Sequence, residues 1–165
     1  MKQQRPITIT GGRLVCPDGV REGSVRLVDG RIAAGWGFPA EPADELVDAG
    51  GKLVTPGLVD MGVFAVDKPA FHFGGITRAA LMPDQSPPLD HPARVRFLAY
   101  SGKPDLWVHP LAAATRGLQG REMAELALMR EAGARGIATG RRWIDDSGVM
   151  LRLLRYAAML DMIVV

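Results

Sequence analysis

The sequence predicts an α/β fold in which a β-rich opening third gives way to strands alternating with helices. Residues 7–55 are dense in β-branched residues and broken by Gly and Asp-Gly turn signals. From Leu58 onward, apolar segments of strand length alternate with helical patterns, the signature of βα units around a parallel sheet. The 165 residues are 47% hydrophobic and 23% charged, which is enough apolar surface for a packed core and excludes a disordered chain.

In chain order, "ITITGGRLV" and "GSVRLVDGRIAAGW" read as strands, with "VDG" at 28–30 as a hairpin turn. "ELVDAGGKLVTPG" supplies further strand and leads to Pro56 and Gly57, the natural boundary between a 1–56 segment and a 57–165 domain. "LVDMGVF" (58–64), "GITRAALMP" (75–83), "DLWVHPL" (105–111) and "RGIAT" (135–139) are the strand candidates that follow, and "MIVV" begins a fifth. Between them, "DQSPPLDHP" holds three prolines in nine residues and is a loop. Helices are predicted over 121–133, where Met123, Leu126, Ala127 and Met129 share a face and Gly133 sits at C′, and over 145–161. In the second, Asp146 or Ser147 caps the start and Val149, Leu153, Tyr156 and Leu160 form one stripe.

Composition narrows the function classes. Lys plus Arg number 20 against 18 Asp plus Glu, a net charge of +2, and the basic residues are scattered in sequence rather than interleaved with aromatics. That pattern argues against nucleic acid, and the Arg141–Arg142 pair reads as a solvated loop. The single cysteine, Cys16, excludes an internal disulfide and a Cys-rich zinc site, and packing explains it. The start "MKQQRPITIT" has no secretory h-region and no run reaches membrane-spanning length, so a cytoplasmic protein with no membrane partner is expected.

Several segments resemble one family. "GGRLVCPDGVREGSVRLVDGRIAA" with "GGKLVTPGLVDM" is similar to the N-terminal segment of dihydroorotases and allied cyclic amidohydrolases of the amidohydrolase superfamily. "GGITRAALMPDQSPPLD", "ATRGLQGREMAELALMREAGA" and "DDSGVMLRLLRYAAML" resemble that family's later segments. The resemblance implies an incomplete (β/α)8 barrel of the metal-dependent-hydrolase type, preceded by part of a small β-sandwich. A complete barrel takes about 250 residues, so the resemblance covers only the first two fifths of a full-length relative. The last strand then stops midway, and the chain is expected to be a fragment, an incomplete reading of a longer gene, or a sheet completed by association.

At the positions where the resemblance implies chemistry, this sequence departs from the family. Relatives end the first barrel strand with "DMHVHLREPG", two metal-binding histidines and a substrate-holding arginine, whereas "DMGVFAVDKP" places Gly62, Phe64 and Val66 there. Neither glycine nor phenylalanine offers a lone pair to a metal. Ser86 stands at a substrate-contacting asparagine position, keeping a donor on a shorter arm. Thr139 and Gly140 replace two aspartates at the fourth strand. The nine residues "AVDKPAFHF" also leave little room for a crossover helix, so the barrel is expected to be deformed there.

Among remaining candidates, His109 is expected at the end of the third barrel strand, on the side where barrel active sites lie. His72, His91, Asp67 and the Asp145–Asp146 pair read as loop or capping residues, and no lysine sits convincingly at a strand end. No nucleophile elbow, dinucleotide fingerprint or P-loop is present. The expectation is therefore a catalytically inactive dihydroorotase-like protein of pyrimidine biosynthesis. No cofactor is expected although the family uses zinc, and Ser86 and His109 are the only ligand-contact candidates. The implied partner is aspartate carbamoyltransferase, within a homo- or hetero-oligomer. The alternative is an active, metal-dependent cyclic amidohydrolase whose ligands lie outside this chain.

Overall fold

The computed structural model describes residues 5–33, 37 and 39–165. The chain divides into two compact units, Met1–Pro56 and Gly57–Val165.

The first unit is a mixed five-stranded sheet centred on β1 (Ile7–Cys16). β2 (Gly19–Val28) runs antiparallel to it, and β3 (Arg31–Ile32) pairs with β2 through the two-residue Asp29–Gly30 turn. Both turn residues have positive φ, 49° and 72°, as the hairpin reading of "VDG" requires. The end of that predicted strand region, 34–36, lies outside the described residues. β4 (Glu45–Asp48) and β5 (Leu53–Val54) both run parallel to β1 but meet different stretches of it. The switch occurs at a bulge between Ile9 and Gly12, where β1 carries one residue more than β2. Gly11 at φ 66° makes the bulge, and a side chain there would stand 2.8 Å from Asp48 Oδ1.

Leu14, Cys16 and Val25 form this unit's small core, with Ile9 and Val54 packed on it. Beside it, Asp44 is buried and fully partnered. Its Oδ2 accepts from the Thr8 hydroxyl (2.7 Å), Arg26 Nε (2.8 Å) and the Glu41 amide (3.1 Å), while Oδ1 accepts from Arg26 Nη2 (2.9 Å). The Arg26 hydrogen bond first, and that of Thr8 second, hold the Asp44 carboxyl down to about 2.

The second unit is a curled all-parallel sheet with its strands in sequence order, as in half of a barrel. β6 (Leu58–Val63) is followed by α1 (Lys68–Phe73) and β7 (Ile76–Leu81). Next come α2 (Pro92–Ser101), β8 (Trp107–Ala113), a 3-10 turn at Arg116–Leu118 and α3 (Leu126–Glu131). β9 (Gly136–Ala138), α4 (Ser147–Met159) and β10 (Ile163–Val164) complete the described chain. Leu81, Val108, Ala112 and Ile137 of the strands pack against Val95 of α2, Leu126 and Met129 of α3, and Val149, Leu153 and Ala157 of α4. Burying each Leu, Val, Ile or Met side chain among these contributes roughly 1.5–3 kcal/mol.

Four details differ from the sequence reading, each for a local reason. α1 does form in the short first connection, because Asp67 accepts from the Ala70 amide (3.1 Å) and Pro69 suits the first turn. The adjoining β6–β7 pairing carries two register shifts, the local irregularity that the shortened connection implied. α2 was not anticipated: Val95 is buried and Leu98 half-buried, but Phe97 and Tyr100 are exposed, so no single apolar stripe marks it. His91 caps it, Nδ1 accepting from the Ala93 amide at 3.2 Å.

α3 is shorter than predicted at its start. The Ala124 amide donates to Ala114 O (3.1 Å) and the Arg116 amide to Glu122 O (2.9 Å), so 122–124 are held extended against the chain after β8. β8 begins and ends two residues later than predicted, because the Leu106 amide closes the preceding turn onto Gly102 O at 2.9 Å.

Candidate functional site

Parallel βα sheets carry their sites at the carboxyl ends of the strands, and here three such ends are tied together. The Met82 amide donates to Val63 O (2.8 Å), and Gln85 Nε2 donates to both Phe64 O and Met82 O (3.0 Å each). These bonds join the end of β6 to the loop after β7. Asp84 then reaches the loop after β9, its Oδ1 accepting from the Arg141 amide at 2.9 Å. Gly140, at φ 75°, lies so close that a Cβ would stand 3.1 Å from Asp84 Oδ1. The Arg141 guanidinium in turn lies 4.0 Å from the centroid of the Phe64 ring.

The residues at the family's ligand positions can be placed one by one. Gly62 is exposed with open space where a side chain would project, and its amide donates to Asp60 Oδ1 at 3.0 Å. Phe64 presents carbon, covered by a cation. Thr139 donates its amide to Val165 O (3.1 Å) and its hydroxyl to Gly140 O (3.5 Å). Asp84 Oδ2 is buried without a hydrogen-bond partner, a spare carboxylate oxygen among the described residues at this end of the sheet. A single carboxylate oxygen is not a zinc site, which takes four donors or three plus water. Among the described residues no group of three or more His, Cys, Asp or Glu could hold a metal ion. The strand-end residues present therefore do not fit zinc.

The other two candidates fall elsewhere. Ser86 is exposed, follows Gln85, and lines a cleft of about 440 Å³ with Leu89, Phe97 and Leu98 rather than the Phe64–Asp84–Arg141 cluster. His109 is the third residue of β8, opposite Ala80, and not at the strand's carboxyl end, where Ala113 sits. Its expected placement on the active-site side is thus corrected by the later start of β8.

Sequence reasoning missed Asp84, Gln85 and Arg141. The signal was the "PDQ" before the prolines together with the glycine-led "GRR", but their pairing spans 57 residues and shows only in the fold.

No protein-family model matches the chain. Among curated proteins it is similar to the dihydroorotase of Pelotomaculum thermopropionicum, 37% identical over 175 residues that cover 96% of this chain and 41% of that protein. It is also similar to the dihydroorotase of Acetivibrio thermocellus, 32% identical over 95% of this chain and 41% of the relative. Among solved structures, the L-hydantoinase (dihydropyrimidinase) from Arthrobacter aurescens superimposes with a TM-score of 0.78 at 23% identity, over 98% of this chain and 40% of its own. A dihydroorotase crystal structure gives 0.60 at 16% identity, covering 98% of this chain and 50% of that one. These likenesses show the fold: part of a (β/α)8 barrel preceded by part of a β-sandwich. The chain spans about two fifths of the length of the curated relatives it matches.

One expectation is overturned by these relatives. The sequence reading expected no cofactor, yet dihydroorotases and hydantoinases belong to a superfamily that uses zinc. A matched structure, the N-acyl-D-glutamate deacylase from Bordetella bronchiseptica, was solved with zinc. A metal requirement thus goes with the family, although Gly62, Phe64 and Thr139 do not supply its ligands here. By sequence the chain belongs to the dihydroorotase family of cyclic amidohydrolases, and its fold is the one it shares with the hydantoinase.

Proposed function

We propose that this chain is a catalytically inactive, dihydroorotase-like protein of pyrimidine biosynthesis that acts as a structural subunit. The observation that carries the reading is the strand-end cluster, where Phe64, Arg141 and Asp84 occupy the space with a ring, a cation and a single spare carboxylate oxygen. Ring-amide hydrolysis needs an activated water and a group to stabilise the developing oxyanion. Arg141 could serve the second role, but no side chain here is arranged to generate a hydroxide. Any zinc chemistry would have to draw its ligands from residues other than Gly62, Phe64 and Thr139.

A structural role is supported by an apolar strand of the parallel sheet. Leu58, Val59 and Met61 on β6 are 57%, 58% and 79% exposed. Apolar edge strands left open are surfaces for association. The partner in this proposal is aspartate carbamoyltransferase, consistent with the family of the chain. A cytoplasmic location is part of the same reading; no helix among the described residues is long and apolar enough to cross a membrane.

The test is light scattering after size-exclusion chromatography of the chain alone and mixed with aspartate carbamoyltransferase. A shared peak that a Met61→Glu variant abolishes supports the subunit reading. Separate elution of the two proteins contradicts it.

A further inference from the structure

The basic residues that look scattered in sequence are gathered by the fold at a second place. Arg78 of β7, Arg96 of α2, Lys103 after α2 and Arg135 before β9 line one cleft of about 240 Å³. The acid lining it is Glu131. Ion pairs among the described residues engage Arg21, Arg26, Arg94 and Arg116, so none of the four cleft cations is in an ion pair. Two aromatic rings hold two of them, Arg78 and Lys103, in place instead. The Trp107 ring has Arg78 at 5.3 Å and Lys103 Nζ at 4.5 Å, and Lys103 also lies 4.4 Å from the Tyr100 ring. Cations fixed on ring faces are pre-ordered, and less freedom is lost when they grip an anion.

His109 faces this cleft and reports its field. Burial first, then Arg78, Arg135 and Lys103, push its imidazole below the usual histidine value. Like charges converging on a concave site with too few counter-charges are costly unless an anion enters.

We propose that this cleft is a binding site for a diphosphate group, free or carried by a nucleotide. Four cations against one carboxylate leave an excess of three positive charges in the lining, which matches a diphosphate with roughly three negative charges at neutral pH. The volume suits a compact group rather than a polymer, and the site is concave rather than a stripe. Tyr100 is exposed at its rim and offers a ring to a base if the diphosphate carries one. The site uses no residue of the Phe64–Asp84–Arg141 cluster and stands independently of whether the chain is catalytic.

The test is a calorimetric titration of the 165-residue chain with inorganic pyrophosphate and, separately, with ADP, while the His109 imidazole signal is followed by NMR. The expected result is saturable one-site binding that weakens with added salt. His109 should titrate at higher pH in the bound state than in the free protein, because the anion favours the imidazolium. Arg135→Gln and Lys103→Gln should each weaken binding about tenfold. Arg155→Gln, an exposed substitution on α4 outside the cleft, should leave it unchanged. Tighter binding of ADP than of pyrophosphate identifies a nucleotide with its ring on the Tyr100 side, and equal binding assigns recognition to the phosphates alone. Absence of saturable binding for both probes, or equal weakening by Arg155→Gln and Arg135→Gln, overturns the proposal.

Discussion

Phe64 and Gly62 carry the difference between this chain and the frame that it keeps. Their substitutions are legible in sequence, because a strand followed by "PGLVDM" fixes which side chains reach the strand end. What replaced the ligands was not legible. Asp84 and Arg141 are far apart in sequence, and the guanidinium over the Phe64 ring depends on how two loops meet. Gly140 is the hinge of that contact. Replacing it with alanine puts a Cβ 3.1 Å from both Asp84 Oδ1 and Leu118 Cδ1 at a positive φ, so Gly140→Ala should lower stability by about 1–3 kcal/mol, read as a lower urea midpoint. Asp44 gives a second prediction at this scale. Its folded value near 2 lies below the ordinary 3.8. Its stabilising contribution is therefore complete above the ordinary value and fades as pH falls toward the folded one. Asp44→Asn should lose stability at neutral pH, and the gap from the parent should close as the solution is acidified, measured by thermal unfolding across the acid range.

At the scale of elements, those with strong local signals were readable. α4 shows why: Asp146 accepts from the Gly148 and Val149 amides (2.7 and 3.0 Å), and Val149, Leu153 and Ala157 are buried on one face. Asp146→Ala should cost about 1 kcal/mol. Leu153→Ala, at a fully buried position, should cost about 2–5 kcal/mol. Denaturant titration distinguishes the two, since removing the cap leaves the core intact. α2 lacked such a signal, because its exposed Phe97 and Tyr100 blur the apolar pattern. The first turn expected of α3 was lost to backbone bonds with 114–116, which no helix propensity anticipates. The same limit applies to the basic cleft. Arg78, Arg96, Lys103 and Arg135 come from four separate segments, and only the parallel order of β7, β8 and β9 brings them together.

For the whole molecule, the sequence likeness and the fold agree on the family, while the strand-end chemistry departs from it. Fold and site are separable: the core of Leu81, Val108, Ile137 and Leu153 depends on packing alone and is indifferent to Gly62 or Phe64. Leu58, Val59 and Met61 on β6 are exposed apolar residues outside that core. In the proposed reading, these residues support a dihydroorotase-type structure without performing its reaction. The most direct measurement is the interconversion of carbamoyl aspartate and dihydroorotate by the purified chain with zinc supplied, alone and with aspartate carbamoyltransferase. No turnover above that of a chain-free control is expected in either case; turnover that scales with chain concentration and disappears on adding a chelator would overturn the inactive-subunit proposal.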